Sequence, residues 1–286
     1  MVTRIVKNKR KILTLTGDIL SYALLILSSL LALIPLAWVI STSFKPIQEI
    51  YTNPPHWLPH APTIQNYQNV LLDSNIPRAF WNSLVVGGGV AFLSLLLGGL
   101  MGYAFARFTF RGSRFLSLFI LTSQMLPITV LMIPMFRMGN TLGILDSRMG
   151  LMVAHLVIAL PLVTWISRGY FMNIPAEIEE AAKVDGAGTV RTLISIILPL
   201  LRPAMATTGI YAFVVSWNEF ALSNLLTLSM SSRTVPVTLR EFSTFFRVNW
   251  GDTMAAATVI TLPVVIIFMV LQKHFIEGLS SGAVKG

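Results

Sequence analysis

Long apolar stretches separated by short polar turns set the rhythm of this chain. No charged residue occurs from Ile19 to Phe44, nor in the 28 residues between Arg78 and Arg107. Counting these two, apolar runs fall at about 19–42, 80–106, 115–136, 149–170, 203–226 and 253–272. Each comes close to or exceeds the roughly 20 residues a membrane-crossing helix requires. The pattern predicts an all-α polytopic membrane protein with six transmembrane helices, forming one domain over 1–286. The first run is too long for a signal-peptide core and reads as an uncleaved span. The second is rich in glycine (Gly87, Gly88, Gly89, Gly98, Gly99, Gly102), which lets membrane helices pack backbone to backbone.

Residues 171–202, between the fourth and fifth runs, have a different character. Asn173 can cap a helix, and Pro175 suits a first turn. Glu177, Glu179 and Glu180 load the early turns with the negative charge that a helix dipole favours. Glu179 and Lys183 form an i,i+4 pair in the favourable order. Ile178, Ala181, Ala182 and Asp185 share one small, mostly apolar face, open to close approach by another surface. Gly186 predicts a left-handed stop. A second helical run, Thr189 to Leu198, is expected to break at Pro199. The prediction is a helix–glycine–helix hairpin between two spans.

Composition narrows the function classes. The chain is 54% hydrophobic and 12% charged with a mean hydropathy of +0.72, whereas soluble domains carry about 25% charged residues. A net charge of +9 on such a chain reads as orientation signal and lipid contact, not as a nucleic-acid surface. Without Cys there are no disulfides or thiolate sites, and the four scattered His lack metal-ligand spacing. No Gly-x-x-x-x-Gly-Lys-Ser/Thr loop occurs, so the chain is not expected to hydrolyse ATP or to hold a cofactor of its own. No nucleophile–base pair stands out, and an enzyme is not expected. Of the 21 Lys and Arg, 14 fall on the side of the N-terminus and the 171–202 hairpin. The positive-inside rule then predicts that both termini and the hairpin are cytoplasmic.

The hairpin also carries a spaced motif: Glu180-Ala181-Ala182, three residues, Gly186, nine residues, then Ile196-x-Leu198-Pro199. It resembles the coupling loop of permease subunits in bacterial ATP-binding-cassette importers. Further blocks resemble carbohydrate-importer permeases, in particular the smaller permease of maltose-type systems. These are Thr63-Ile64-Gln65-Asn66-Tyr67, Phe80-Trp81-Asn82-Ser83-Leu84, Tyr103-Ala104-Phe105-Ala106-Arg107, Ser216-Trp217-Asn218-Glu219-Phe220 and the segment from Glu277 to Gly286. The resemblance implies the type I importer permease fold, in the bacterial cytoplasmic membrane. It also implies a second permease as partner, two ATPase subunits that bind ATP and Mg, and an extracytoplasmic sugar-binding protein. Glu180, Ala181, Ala182, Asp185 and Gly186 would then form the ATPase-coupling surface, with Glu180 paired to an Arg of the ATPase.

Other candidates follow from position. Glu219 is an acid within an apolar run, where an ionisable group marks a pathway or a partner. At 1.5 Å per residue it lies about 24 Å from the start of its span. Asn218 and Glu219 are expected to face a translocation cavity. The competing reading makes Glu219 a capping or interfacial acid. Gln124 has the same pathway reading, set against helix–helix hydrogen bonding. The 229–253 loop resembles the family segment that reaches into the docked binding protein, which implies a docking role for Arg233, Arg240 and Arg247; the competing reading makes them ordinary loop charges. Rival cargoes are glycerol-phosphate-like compounds or uronic-acid oligosaccharides. A rival class, the ion-coupled secondary transporter, would predict internal repeats and several buried acids.

Overall fold

The computed structural model describes residues 2–242 and 248–283, with side chains over 17–242, 248–270 and 272; Arg247 lies outside the described residues. The chain opens with α1 (Val2–Ser43), α2 (Ile47–Ile50), α3 (Gln65–Leu72) and α4 (Ile76–Arg107). It continues through α5 (Ser113–Ser123), α6 (Ile128–Thr141), α7 (Arg148–Met172) and α8 (Ala176–Val184). Next come α9 (Thr189–Thr192), a π-turn (Leu193–Ile197), α10 (Leu198–Leu200) and α11 (Arg202–Trp217). Last are α12 (Ala221–Leu226), α13 (Val235–Thr238) and α14 (Trp250–Ala283). α1, α4, α7 and α14 contain stretches long and apolar enough to cross a membrane unbroken. Two bent pairs raise the number of spans to six only if each pair counts as one: α5 with α6, turned by 100°, and α9–α10 with α11, turned by 83°.

Two expected spans are therefore not single helices. The 115–136 run breaks between Ser123 and Ile128. Pro127 has no N–H to donate and disfavours helical backbone at Leu126. The 203–226 run stops at Trp217 and resumes as α12. The run through Pro199 ends one residue later, at Leu200, and turns by 83° into α11, while the turn before Pro199 stays helical. Pro199 cannot bond back to the Ser195 carbonyl, and the helix absorbs the defect by widening, with Leu198 N–H reaching Leu193 O instead.

The chain groups into two compact units. In Met1–Leu72 with Phe245–Val259, side chains tie down the end of α1. Buried Asn66 donates to the carbonyls of Ser43 and Lys45, each at 2.9 Å, and Ser43 Oγ lies 2.7 Å from Tyr67 Oη. In Asp73–Thr244 with Ile260–Gly286, α4, α7 and α11 enclose a core of Val86, Val90, Leu151, Ala154, Val163 and Ala212. A second cluster, Tyr103, Phe171, Ile174, Leu193, Ile197 and Leu201, seats the hairpin on the ends of α4 and α7.

Gly102 sets how closely α4 and α7 approach. A Cβ there would lie 2.8 Å from the Arg168 nitrogen and 3.0 Å from the Thr164 carbonyl oxygen, whereas one at Gly88 would meet nothing within 4 Å. Gly102→Ala is expected to cost about 1–3 kcal/mol by overpacking. Gly88→Ala should be neutral or stabilising by up to about 1 kcal/mol. Thermal melts of the purified protein check this; equal melting points for the two variants would contradict the close-packing role.

Candidate functional site

The hairpin is built on α8. Glu177, Glu180, Ala181 and Val184 follow each other at i, i+3, i+4 and i+7, and all four are exposed. Val184 is 88% exposed, an apolar tip flanked by charge. The opposite face packs inward, with Ile178 against the second cluster and Ala182 buried. Ala182 was expected on the approach face with Ala181 and Asp185. It is instead 4% exposed, on the inward side of α8 with Ile178, which packs against the second cluster. Gly186 has φ +79, the left-handed stop, and Ala187 N–H reaches back to Ala182 O at 2.9 Å.

Glu179 does not join Lys183. Its carboxylate turns inward, 8% exposed, where Arg107 Nε donates to it at 2.5 Å and Tyr103 Oη at 3.0 Å. Arg107 also donates to Ile174 O at 2.8 Å. A low-dielectric site with two donors outweighs an exposed helix-surface partner, which contributes only about 0.5 kcal/mol. The Tyr103–Arg107 block is therefore the anchor of the hairpin. Glu180 and Lys183 line a cavity of about 150 Å³ beside that anchor.

The remaining candidates lie at the helix breaks. Gln124 is exposed where α5 ends, and its Nε2 donates to Ile158 O of α7 at 2.9 Å. Asn218 is exposed just after α11, donating to Val214 O at 3.0 Å. Glu219 points inward and takes the capping role. It accepts from Leu222 N and Ser223 N, both at 2.8 Å, and from Ser223 Oγ at 3.0 Å. Among the described residues its ionic partner is His155, whose Nε2 lies 3.2 Å from Glu219 Oε2. The His155 ring is fully buried, with Nδ1 2.7 Å from Ser216 Oγ and Nε2 3.1 Å from Ser223 Oγ. A lone histidine inside the apolar 149–170 run was the available signal for this site.

At the opposite end of α7 from the hairpin, residues 227–235 are held in place. Asp146 accepts from Leu228 N at 2.8 Å, from Ser229 N at 2.9 Å and from the Ser232 hydroxyl. Burial would raise the Asp146 pKa, but these donors outweigh it and hold the carboxyl at about 2. Asn82, fully buried, donates to Ser231 O and Arg233 O and accepts from Arg148 Nε. Arg233 pairs with Glu241 at 3.2 Å, and Arg240 lies over the Phe220 ring at 5.5 Å.

Residues 94–281 of this helical chain, with its anchored and exposed hairpin, match the binding-protein-dependent transport system inner membrane component, and the chain belongs to this family. It is 32% identical to the diacetylchitobiose uptake system permease protein DasC of Streptomyces coelicolor, over 88% of this chain and 91% of that one. It is 33% identical to the trehalose/maltose transport system permease protein MalG of Thermococcus litoralis, over 91% and 94% of the two chains. Among solved structures, it resembles a chain of a bacterial ABC transporter involved in the import of the acidic polysaccharide alginate. The TM-score is 0.78 at 25% identity, covering 90% of this chain and 96% of that one.

The anchor gives a direct test. Removing one partner of a buried ion pair costs about 3–5 kcal/mol, whereas replacing both with apolar residues is often close to neutral. Arg107→Met alone is expected to lower the melting point sharply, and Glu179→Leu in the same chain should recover most of the loss. Additive losses in the double variant would show that the two side chains act independently.

Proposed function

We propose that this chain is the transmembrane permease subunit of an ATP-binding-cassette importer. It moves a sugar or oligosaccharide, delivered by an extracytoplasmic binding protein, across the cytoplasmic membrane. Two separate subunits bind ATP with Mg and hydrolyse it, and a second, different permease completes the pathway. The observation that carries this reading is the exposed face of α8, where Glu180, Ala181 and Asp185 surround the apolar tip Val184 on a rigidly held base. Such a face fits a cleft in a partner protein. The base is the Glu179–Arg107–Tyr103 anchor, so displacement of α8 by its partner is passed to α4 and on into the core that carries the breaks. The charge asymmetry along the sequence supports a cytoplasmic location for the hairpin and both termini. Accordingly, a cysteine at Thr189 should react with an impermeant reagent only after cells are permeabilised.

Loss of one partner from an interfacial ion pair costs about 2–5 kcal/mol, or one to three orders of magnitude in affinity. Glu180→Lys is therefore expected to leave the protein in the membrane while releasing the ATPase or uncoupling its hydrolysis from uptake. Reversing the charge of the matching Arg on the ATPase should restore part of the uptake. The measurements are co-purification of the ATPase and transport-coupled hydrolysis; wild-type values for both in Glu180→Lys would reduce the hairpin to a connector.

The substrate path runs past the breaks, with Asn218 and Gln124 as exposed polar groups and Glu219 holding the local geometry. Asn218→Ala should lower uptake while assembly and melting point stay unchanged. Glu219→Leu should instead lower the melting point, because Leu222 N, Ser223 N and His155 lose their acceptor. Uptake at wild-type rates in Asn218→Ala would remove the pathway role.

A further inference from the structure

One pocket lies far in sequence from the coupling hairpin and belongs to the unit containing the end of α1. It encloses about 270 Å³ between Trp38, Thr42, Lys45, Glu49, Trp250 and Met254, among others. Trp38, Thr42 and Lys45 are spaced i, i+4 and i+7, so the end of α1 and its first turn outward present them on one side. Two observations indicate that the pocket awaits a ligand. Thr42 is 4% exposed, and its hydroxyl has no hydrogen-bond partner. Lys45 is 2% exposed, yet among the described residues no carboxylate lies within 4 Å of its ammonium.

The ammonium has three donors. One reaches His56 O at 2.5 Å, and the charge sits 4.2 Å from the Trp38 ring centroid. Two donors remain. Glu49 does not take them: its carboxylate lies beyond 4 Å from the ammonium and accepts from the His60 and Ala61 amides at 2.9 Å each. A buried cation with spare donors beside an unpaired hydroxyl is an incomplete oxyanion site. Burial pulls the Lys45 ammonium below its usual range, with the Glu49 charge acting the other way, so an anion in the pocket would relieve the penalty.

We propose that this pocket seats the phosphodiester of a membrane phospholipid, bound by Lys45 and Thr42. The surroundings favour lipid over a soluble anion. The apolar stretch of α1 that leads to the pocket is unburied within the chain and exposes Leu30, Leu33 and Ile34, a track for acyl chains. Trp38, Tyr51 and Trp250 line the pocket with Lys45, and Trp57 packs edge-on against Trp38 at 5.1 Å, as aromatic residues gather at a membrane–water interface. The volume falls below the 300–1,000 Å³ of ordinary small-molecule sites, enough for a headgroup but not for an oligosaccharide.

Native mass spectrometry of the full-length chain, with dioleoyl phosphatidylglycerol as the probe and dioleoylglycerol as its phosphate-free control, tests the proposal. The expected result is a phosphatidylglycerol adduct that the control does not form. Lys45→Met should weaken it at least tenfold, the near-isosteric Thr42→Val about threefold, and Lys45→Arg should retain it. Adducts of equal strength with both lipids would overturn the proposal, as would adducts unchanged in both Lys45→Met and Thr42→Val. Competition by galacturonate or inorganic phosphate at equimolar concentration would assign the pocket to a soluble anion and overturn the lipid source. Should Lys45→Met fail to fold, Thr42→Val alone decides.

Discussion

A backbone inside a bilayer has to satisfy its own polar groups, since no water is there to do so. This chain interrupts its helices at membrane-length runs and meets that constraint with side chains. At the first break, Gln124 ties the end of α5 to α7 by donating to the Ile158 carbonyl. At the second, Glu219 covers two amides of α12 and His155 closes the network from α7. The π-turn before Pro199 answers the same constraint within the backbone itself. At the second break the polar residue sits where an apolar pattern alone would have placed none.

How far the fold can be read from the sequence follows from which forces act locally. The hairpin is legible because its acids, its glycine and its arms are neighbours in the chain, and Gly186 adopts the expected left-handed backbone. The partner of Glu179 is not legible: Arg107 stands 72 positions away, and only the packing of α8 on α4 brings the two together. The same holds for His155 and Glu219, which look like isolated polar residues in separate apolar runs. Hydropathy averages over about 20 residues, so it registers the apolar length of 115–136 and 203–226 but not the breaks within them.

The blocks that carry the family resemblance turn out to have physical work of several kinds. Asn66 and Tyr67 fasten the end of α1, Asn82 and Ser83 hold the segment after α12, and Tyr103 with Arg107 anchors the hairpin. Most of these residues join elements distant in sequence. Sequence reading alone marked them as a pattern without indicating that their role is fastening.

The Asp146 clamp bears on how a protein partner would meet residues 227–235. A loop fixed in advance by one carboxylate and one buried amide surrenders little conformational freedom on contact, so recognition there would be closer to rigid docking than to folding on binding. Because the Asp146 carboxyl is held at about 2, below its ordinary value, its contribution is complete above the usual carboxylate range and is lost only as pH falls toward 2. A surface built this way keeps its shape in an acidic medium that would protonate ordinary carboxylates.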